Sequence, residues 1–390
     1  MVKSQQTGDQ TMIKKINTAI VFDSVLKNGP LSRAQISERS GLNKATVSSL
    51  VLDLIDAKLV EEIGQGESNG GRKPVMLLFN AQAGYAIGID LGVNYIRGVL
   101  TDLLGHVIEE REWSMKRPDL TSGLKQLTEC IDKLIALAPE SPYGIVGIGI
   151  GVPGIVDDKG TILFAPNLEW GRVDLQQYVE DKFRVPVTID NEANAGAQGE
   201  QKYGAGRGIA HQIYVSVGIG IGTGIILHKE LYKGASGFSG ELGHLSIEYN
   251  GKPCRCGNQG CWELYASENA LLEQAGKQGL PEELDELIAS AEAGDERTLA
   301  LFRSIGSYLG AGIANIVNVF NPDVVIIGNR MSKASRWLEE AVQEAVDMRT
   351  LSYHRERMRI LFADLQDRSA VRGAAYYAIN TFLGKVRNVG

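Results

Sequence analysis

The chain has 390 residues, 44% apolar and 22% charged, which is ordinary for a globular protein of two or three domains. No apolar run reaches the length of a membrane span, because Asn315, Asn318 and Asn321 interrupt the longest candidate. The net charge of −7 is uneven: residues 1–80 hold 10 Lys and Arg against 8 Asp and Glu, and the remainder holds 30 against 39. An acidic body of this kind would be repelled by a polyanion that the head could approach. The first ten residues are polar, without the apolar segment of a leader peptide. Three of the four cysteines are spaced for a metal rather than for a disulfide scaffold, so a reducing, cytoplasmic location is expected.

Along the head, Ile13, Ile16 and Ile20, backed by Phe22 and Leu26, give a helical stripe that ends at Asn28-Gly29-Pro30. Ser32-Arg33-Ala34-Gln35 reads as a capping box that opens a short second helix to about Arg39. Ser40-Gly41-Leu42 forms a tight turn, and Asn43 caps a third helix with Val47, Leu50, Val51 and Leu54 on its buried face. Helix, glycine-containing turn and helix make a helix-turn-helix, whose second helix reads DNA with its N-terminal residues. The spacing therefore predicts DNA contacts from Ser32, Arg33, Asn43, Lys44, Ala45, Thr46, Ser48 and Ser49. After Leu59–Ile63, the run from Gly64 to Pro74 and the apolar Val75–Phe79 predict a winged hairpin. Its basic Arg72 and Lys73 are placed to meet backbone phosphates.

In the body, Tyr85–Ile89 predicts a buried strand leading into Asp90-Leu91-Gly92, followed by strands over Ile96–Asp102 and Val107–Trp113. The pattern recurs as a strand over Ile213–Val217, a glycine-rich turn over Gly218–Gly224, and strands over Ile225–His228 and Leu231–Lys233. Between the copies, Cys130 falls among Leu124, Leu127, Ile131 and Leu134 at helical spacing and is read as core. Gly147–Gly151 predicts a further buried strand, and Asn167 and Trp170 are candidates to line a cleft.

Farther along, Glu241-Leu242-Gly243-His244 precedes Cys254-Arg255-Cys256-Gly257-Asn258-Gln259-Gly260-Cys261-Trp262-Glu263. Three thiolates and one imidazole, from His244, Cys254, Cys256 and Cys261, complete a tetrahedral Zn²⁺ set, so the metal is expected to be structural.

Glu-x-Gly-His followed by Cys-x-Cys-Gly-x-x-Gly-Cys-x-Glu resembles the signature of the ROK family, which includes sugar kinases and sugar-responsive repressors. The resemblance covers about residues 80–390. It implies an α/β chain with a winged helix-turn-helix over 1–80. Residues 81–390 are then a two-lobed, actin-like (ribonuclease H-like) body that binds sugar and dimerises. The family's sugar contacts carry over to Asn191 and Glu192 of Asn191-Glu192-Ala193-Asn194, to Glu241 and His244, and to Glu263, with Asn167 in the same cleft. His244 would give one ring nitrogen to zinc and the other to a sugar hydroxyl.

Three departures from the family's kinases fall where phosphate would be handled. Val93-Asn94 follows Asp90-Leu91-Gly92 where kinases have Gly-Thr, and the β-branched valine resists the unusual backbone that a phosphate turn needs. Glu192 occupies the catalytic Asp position, where moving a carboxylate by roughly 1 Å can cost about 10²-fold in rate. Asn329 follows Gly328 where kinases have paired glycines. No catalytic residue is therefore assigned, and ATP binding is disfavoured. The head, over Gly41–Ser48 and from Gly64 to Met76, resembles that of the family's repressors of xylose-utilisation genes, and that resemblance implies D-xylose as inducer and a palindromic, double-stranded operator of those genes as DNA partner. An ATP-dependent sugar kinase with a regulatory head is the alternative.

Overall fold

The computed structural model describes residues 10–66, 73–115, 119–157 and 159–388. The head comprises α1 (Gln10–Asn28), β1 (Leu31–Ser32), α2 (Arg33–Ser40), α3 (Lys44–Asp56), β2 (Val60–Gln65) and β3 (Val75–Phe79). Its strands pair in the order β1-β3-β2, antiparallel, so a small sheet flanks the three helices. Val47, Leu50, Val51 and Leu54 are buried as the 3.6-residue period requires. On α1 the expectation fails. Ile13, Ile16 and Ile20 are 53%, 50% and 38% exposed, and Val21, Phe22 and Val25 supply the buried face instead. The core contact of α1 falls in its second half, where Phe22 meets Phe79 edge to face.

The first lobe contains β4 (Tyr85–Leu91), β5 (Tyr95–Asp102), β6 (Val107–Ser114), α4 (Leu120–Ala136), β7 (Ile145–Val152), the short pair β8 (Ile155–Val156) and β9 (Ile162–Phe164), α5 (Leu175–Phe183) and β10 (Val187–Asn191). The second contains α6 (Glu192–Tyr203), β11 (Gln212–Val217), β12 (Ile221–Leu227), β13 (Glu230–Leu231), α7 (Glu263–Ala266), α8 (Glu268–Lys277), α9 (Leu284–Glu292) and α10 (Glu296–Phe320). It continues with β14 (Val324–Gly328), α11 (Ser335–Arg349), α12 (Ser352–Arg355) and β15 (Arg359–Phe362), before α13 (Ser369–Asn388) returns to the first lobe. The sheets run β10-β7-β4-β5-β6 and β13-β12-β11-β14-β15. In each, three successive strands pair antiparallel and two more add in parallel, so the second sheet repeats the first.

The glycine-rich run of the second copy departs from expectation. Only Gly218–Gly220 turns back on itself, Gly218 N–H donating to Gly220 O, while Gly222 and Gly224 lie inside β12. They are small because α6 lies against the strand: a Cβ on Gly224 would stand 2.5 Å from Ala193 O.

Helix α13 packs on β4 and β7 of the first sheet, α6 on β11 and β12 of the second, and the two helices pack on each other. They form the layer between the lobes. Cys130 is buried among Leu127, Ile131 and Leu134 as expected. The core of the head continues into the body through Ala86, Leu103, Val146, Ala378, Ile379 and Leu383. Among the described residues no helix is long and apolar enough to cross a membrane.

Candidate functional site

The helix-turn-helix is built by its caps. Ser32 Oγ accepts from Gln35 N–H while Gln35 Oε1 accepts from Ser32 N–H, which closes the capping box. Gly41 ends α2 at φ 71°, a left-handed conformation that costs glycine little. Asn43 Oδ1 accepts from Thr46 N–H at 2.8 Å and starts α3. Asn43, Lys44, Ala45 and Ser49 are exposed, and Thr46 and Ser48 half-buried, so the N-terminal face of α3 is open. Two predicted contacts are otherwise engaged. Ser32 is 4% exposed with its hydroxyl in the cap, and Arg33 holds Glu62 of β2 at 2.9 Å. Lys73 is exposed at the base of the hairpin, while Arg72 lies outside the described residues.

In the body, Gly154, Asn191, Asn194, Thr223, Gly240 and Glu241 line a narrow cavity between the lobes. Asn191 caps α6, its Oδ1 accepting from Ala193 N–H and its Nδ2 donating to Gly154 O. Its amide is thus committed to holding the strand exit. Asn194, one turn on, also lines this cavity, and its buried Oδ1 has no protein partner; the sequence does not single it out. Its Nδ2 donates to Asp190, which Lys233 meets at 2.6 Å. Glu241 lies 3.9 Å from His244 Nε2, and burial raises its carboxyl above the ordinary range. Asn167 is exposed in the turn Ala165–Trp170 and does not line this cavity, and Trp170 packs into the first lobe's core at 2% exposure rather than lining the cleft.

The floor of the cleft is crowded by side chains of the chain itself. Tyr95 O–H donates to Asp90 Oδ2 at 2.8 Å, and its ring covers Gly92, where an added Cβ would stand 2.4 Å from Cε1. On the facing side Ser216 Oγ donates to Glu192 at 3.1 Å, and Asn329 Nδ2 donates to Ser216 Oγ at 2.9 Å. Asn329 holds φ 66° and lies over the Gly218 turn. Tyr95 and Ser216 escaped the sequence reading because neither stands in a recognised motif.

Burial, then the charge of Asp90, pushes the Glu192 carboxyl from the ordinary 4.5 to about 8. Burial likewise raises Asp90 to about 6, against the lowering effect of the Tyr95 hydrogen bond. Glu192 therefore keeps its proton at neutral pH. Its folded pKa is raised, so the associated stability is full below 4.5 and is lost as pH climbs towards about 8. Glu192→Gln, which keeps an acceptor for Ser216, should match the wild type near pH 4.5 and exceed it by about 4 kcal/mol at pH 8. Urea denaturation of the sugar-free protein at intervals across that range checks this. A difference that stays constant with pH would contradict it.

The metal set is assembled as the spacing predicts. One ligand atom from each of His244, Cys254, Cys256 and Cys261 falls within 4.8 Å of the others. Cys256 Sγ and Cys261 Sγ are 3.7 Å apart, and Cys254 Sγ and His244 Nδ1 3.8 Å. Bonds of ~2.3 Å to sulfur and ~2.0 Å to nitrogen set tetrahedral edges of about this length, so these residues fit a closed, structural Zn²⁺ site. His244 turns Nδ1 to the cysteines and Nε2 to Glu241, as a residue serving both sites must. Glu263 Oε1 lies 3.4 Å from both Cys254 Sγ and His244 Nδ1, beside the metal cluster rather than on the narrow cavity.

Comparison with known proteins agrees with this architecture. The model of the ROK family matches residues 86–381. A xylose repressor from Bacillus spizizenii is 44% identical over 382 residues, covering 97% of this chain and 99% of the relative. A crystal structure of a ROK family transcriptional regulator, a homolog of the Escherichia coli Mlc protein, is 26% identical, superposes with a TM-score of 0.81 and covers 97% of this chain and 99% of its own. A ROK family glucokinase from Streptomyces griseus, in complex with glucose and AMPPNP, is 30% identical with a TM-score of 0.67 and covers 75% of this chain and 98% of its own.

Proposed function

The chain belongs to the ROK family, and from that we propose that it is a sugar-responsive transcriptional repressor of xylose-utilisation genes, released from its operator by D-xylose. Residues 1–80 are the DNA-binding unit, residues 81–390 bind the sugar and pair two chains, and the protein works in the cytoplasm. The observation that carries this reading is the open, polar N-terminal face of α3 on a chain that matches a xylose repressor end to end. D-Xylose as inducer rests on that relative. The glucokinase accounts for nearly all of its own length and leaves a quarter of this chain unmatched, as a kinase without the head would.

The crowded floor argues against phosphoryl transfer. Asp90 is held by Tyr95, Glu192 is held by Ser216 and stands where the family's kinases place a shorter Asp, and Asn329 covers the opposite turn. Glu241 and His244 are the sugar contacts, with Asn191 and Glu192 framing the cleft and Asn194 adding an acceptor for a hydroxyl. Bound zinc would fix the loop that presents His244 and Glu263.

Repression then follows from linkage. Two heads in a dimer read the two halves of a palindrome, and sugar-driven movement of the lobes changes their spacing. A coupling of about 1–3 kcal/mol changes operator affinity by about 5–150-fold. Fluorescence anisotropy on promoter DNA of a xylose operon at fixed salt, titrated with D-xylose, D-glucose and ATP, tests the reading. Release by D-xylose alone is expected, and Glu241→Ala should bind DNA as tightly but no longer respond. Turnover of ATP with either sugar near ~1 s⁻¹ would favour a kinase instead.

A further inference from the structure

At the C-terminal end of α6 lies a second cavity of about 210 Å³, lined by Gln201, Lys202, Gly208, Ile209, Lys229 and Tyr376. Its surroundings are cationic in a body that is otherwise acidic. Lys202 Nζ lies 5.3 Å from the centre of the Tyr376 ring. Burial, then the charges of Lys27, Arg387 and Arg207, holds its ammonium below the usual range. Among the described residues Lys202, Arg207 and Lys229 form no ion pair, whereas Lys27 and Arg387 both pair with Asp23. Glu230 is the acidic group that bears on Tyr376. The C-terminal dipole of α6 accounts for Lys202 at its last turn. It does not account for Lys229 lining the same hollow, nor for Arg207 standing close enough for its charge to bear on Lys202.

The geometry points to a binding site for a small phosphate monoester, held by Lys202 and Lys229 with Arg207 at the rim. A dianion with three acceptor oxygens offsets the mutual repulsion of these cations and takes charge-assisted hydrogen bonds from both ammonium groups. Tyr376 and Ile209 offer an apolar wall, and Gln201 a polar one, to a short carbon skeleton. The hollow is concave, which suits a small ester better than a duplex backbone. The site touches α6, whose other end frames the sugar cleft, and α13, whose far end reaches the head. An ester bound here would therefore bear on both.

Isothermal titration of the full chain with glycerol 3-phosphate, at constant ionic strength and with inorganic phosphate in parallel, tests this. Saturable binding of one ester per chain is expected, weakened about tenfold or more in Lys202→Gln/Lys229→Gln with an unchanged melting temperature. Binding that is absent, or equal in the double variant, overturns the site. Equal affinity for inorganic phosphate overturns the ester in favour of the free anion. If neither ligand binds and the double variant instead lowers the salt dependence of operator binding, the cations serve the DNA backbone and the proposal fails.

Discussion

Replacing Cys261 with Ser should release the metal, lower the stability of the second lobe by about 3–5 kcal/mol and abolish the sugar response while leaving operator binding intact. Cys261 is fully buried and is followed by Trp262, also fully buried, whose Nε1 donates to Tyr308 O of α10. The segment is also held by backbone bonds, among them Ile247 N–H to Gly260 O and Trp262 N–H to Leu245 O, and by side-chain bonds such as Asn258 Nδ2 to His244 O and Ser246 Oγ to Gln259 O. Without a cation, three cysteines and a histidine packed within 4.8 Å have little reason to stay together. His244 and Glu263 would then lose their orientation, and Trp262 would loosen from the lobe's core. Structural zinc contributes ~10–16 kcal/mol in small peptides, but most of this lobe folds on its own core, hence the smaller figure. Elemental analysis should find one zinc per wild-type chain and much less in Cys261→Ser. Cys130→Ala, which alters the first lobe's core alone, should keep its metal. A metal-free wild type would refute the site.

Legibility in the sequence followed locality. The caps of α2 and α3 and the Gly41 turn depend on residues within a few positions of one another and the metal set on residues within one loop, and each stands where expected. The Ile13, Ile16 and Ile20 stripe misled because periodicity reports a face and not what covers it. Glycine permits turns, which is what Gly222 and Gly224 suggest in sequence, whereas here it permits α6 to lie against β12. The cleft floor was the least legible part. Ser216 and Asn329 are 113 positions apart, and only the pairing of β11 with β14 brings them to one hydrogen bond. Lys233 reaches Asp190 in the same long-range way.

Gly373→Ala should cost about 3 kcal/mol or more and, in whatever fraction folds, weaken the link between sugar and DNA. A Cβ there would stand 1.7 Å from Ala195 O and 2.8 Å from Gly199 N, all backbone of α6, with no flexible side chain to yield. The helices can accept it only by moving apart. They are joined elsewhere by Glu200, which is fully buried and accepts from Ser369 Oγ at 2.6 Å and from Ala205 and Leu365 N–H. This pairing matters because α6 begins at the sugar cleft while α13 ends in the head. Ile379 and Leu383 enter the head's core, Arg387 meets Asp23 of α1 at 2.8 Å, and Tyr143 packs on Phe382 while donating to Ala57 O beyond α3. Any movement of α6 on sugar binding would be passed to the helices of the head through this contact. Thermal melting reads the first effect, as a fall of several degrees. The second is read by comparing the D-xylose concentration that saturates the protein with the concentration that releases DNA. These should coincide in the wild type and separate in the variant. A variant that melts early yet releases DNA normally would show that the signal reaches the head without this contact.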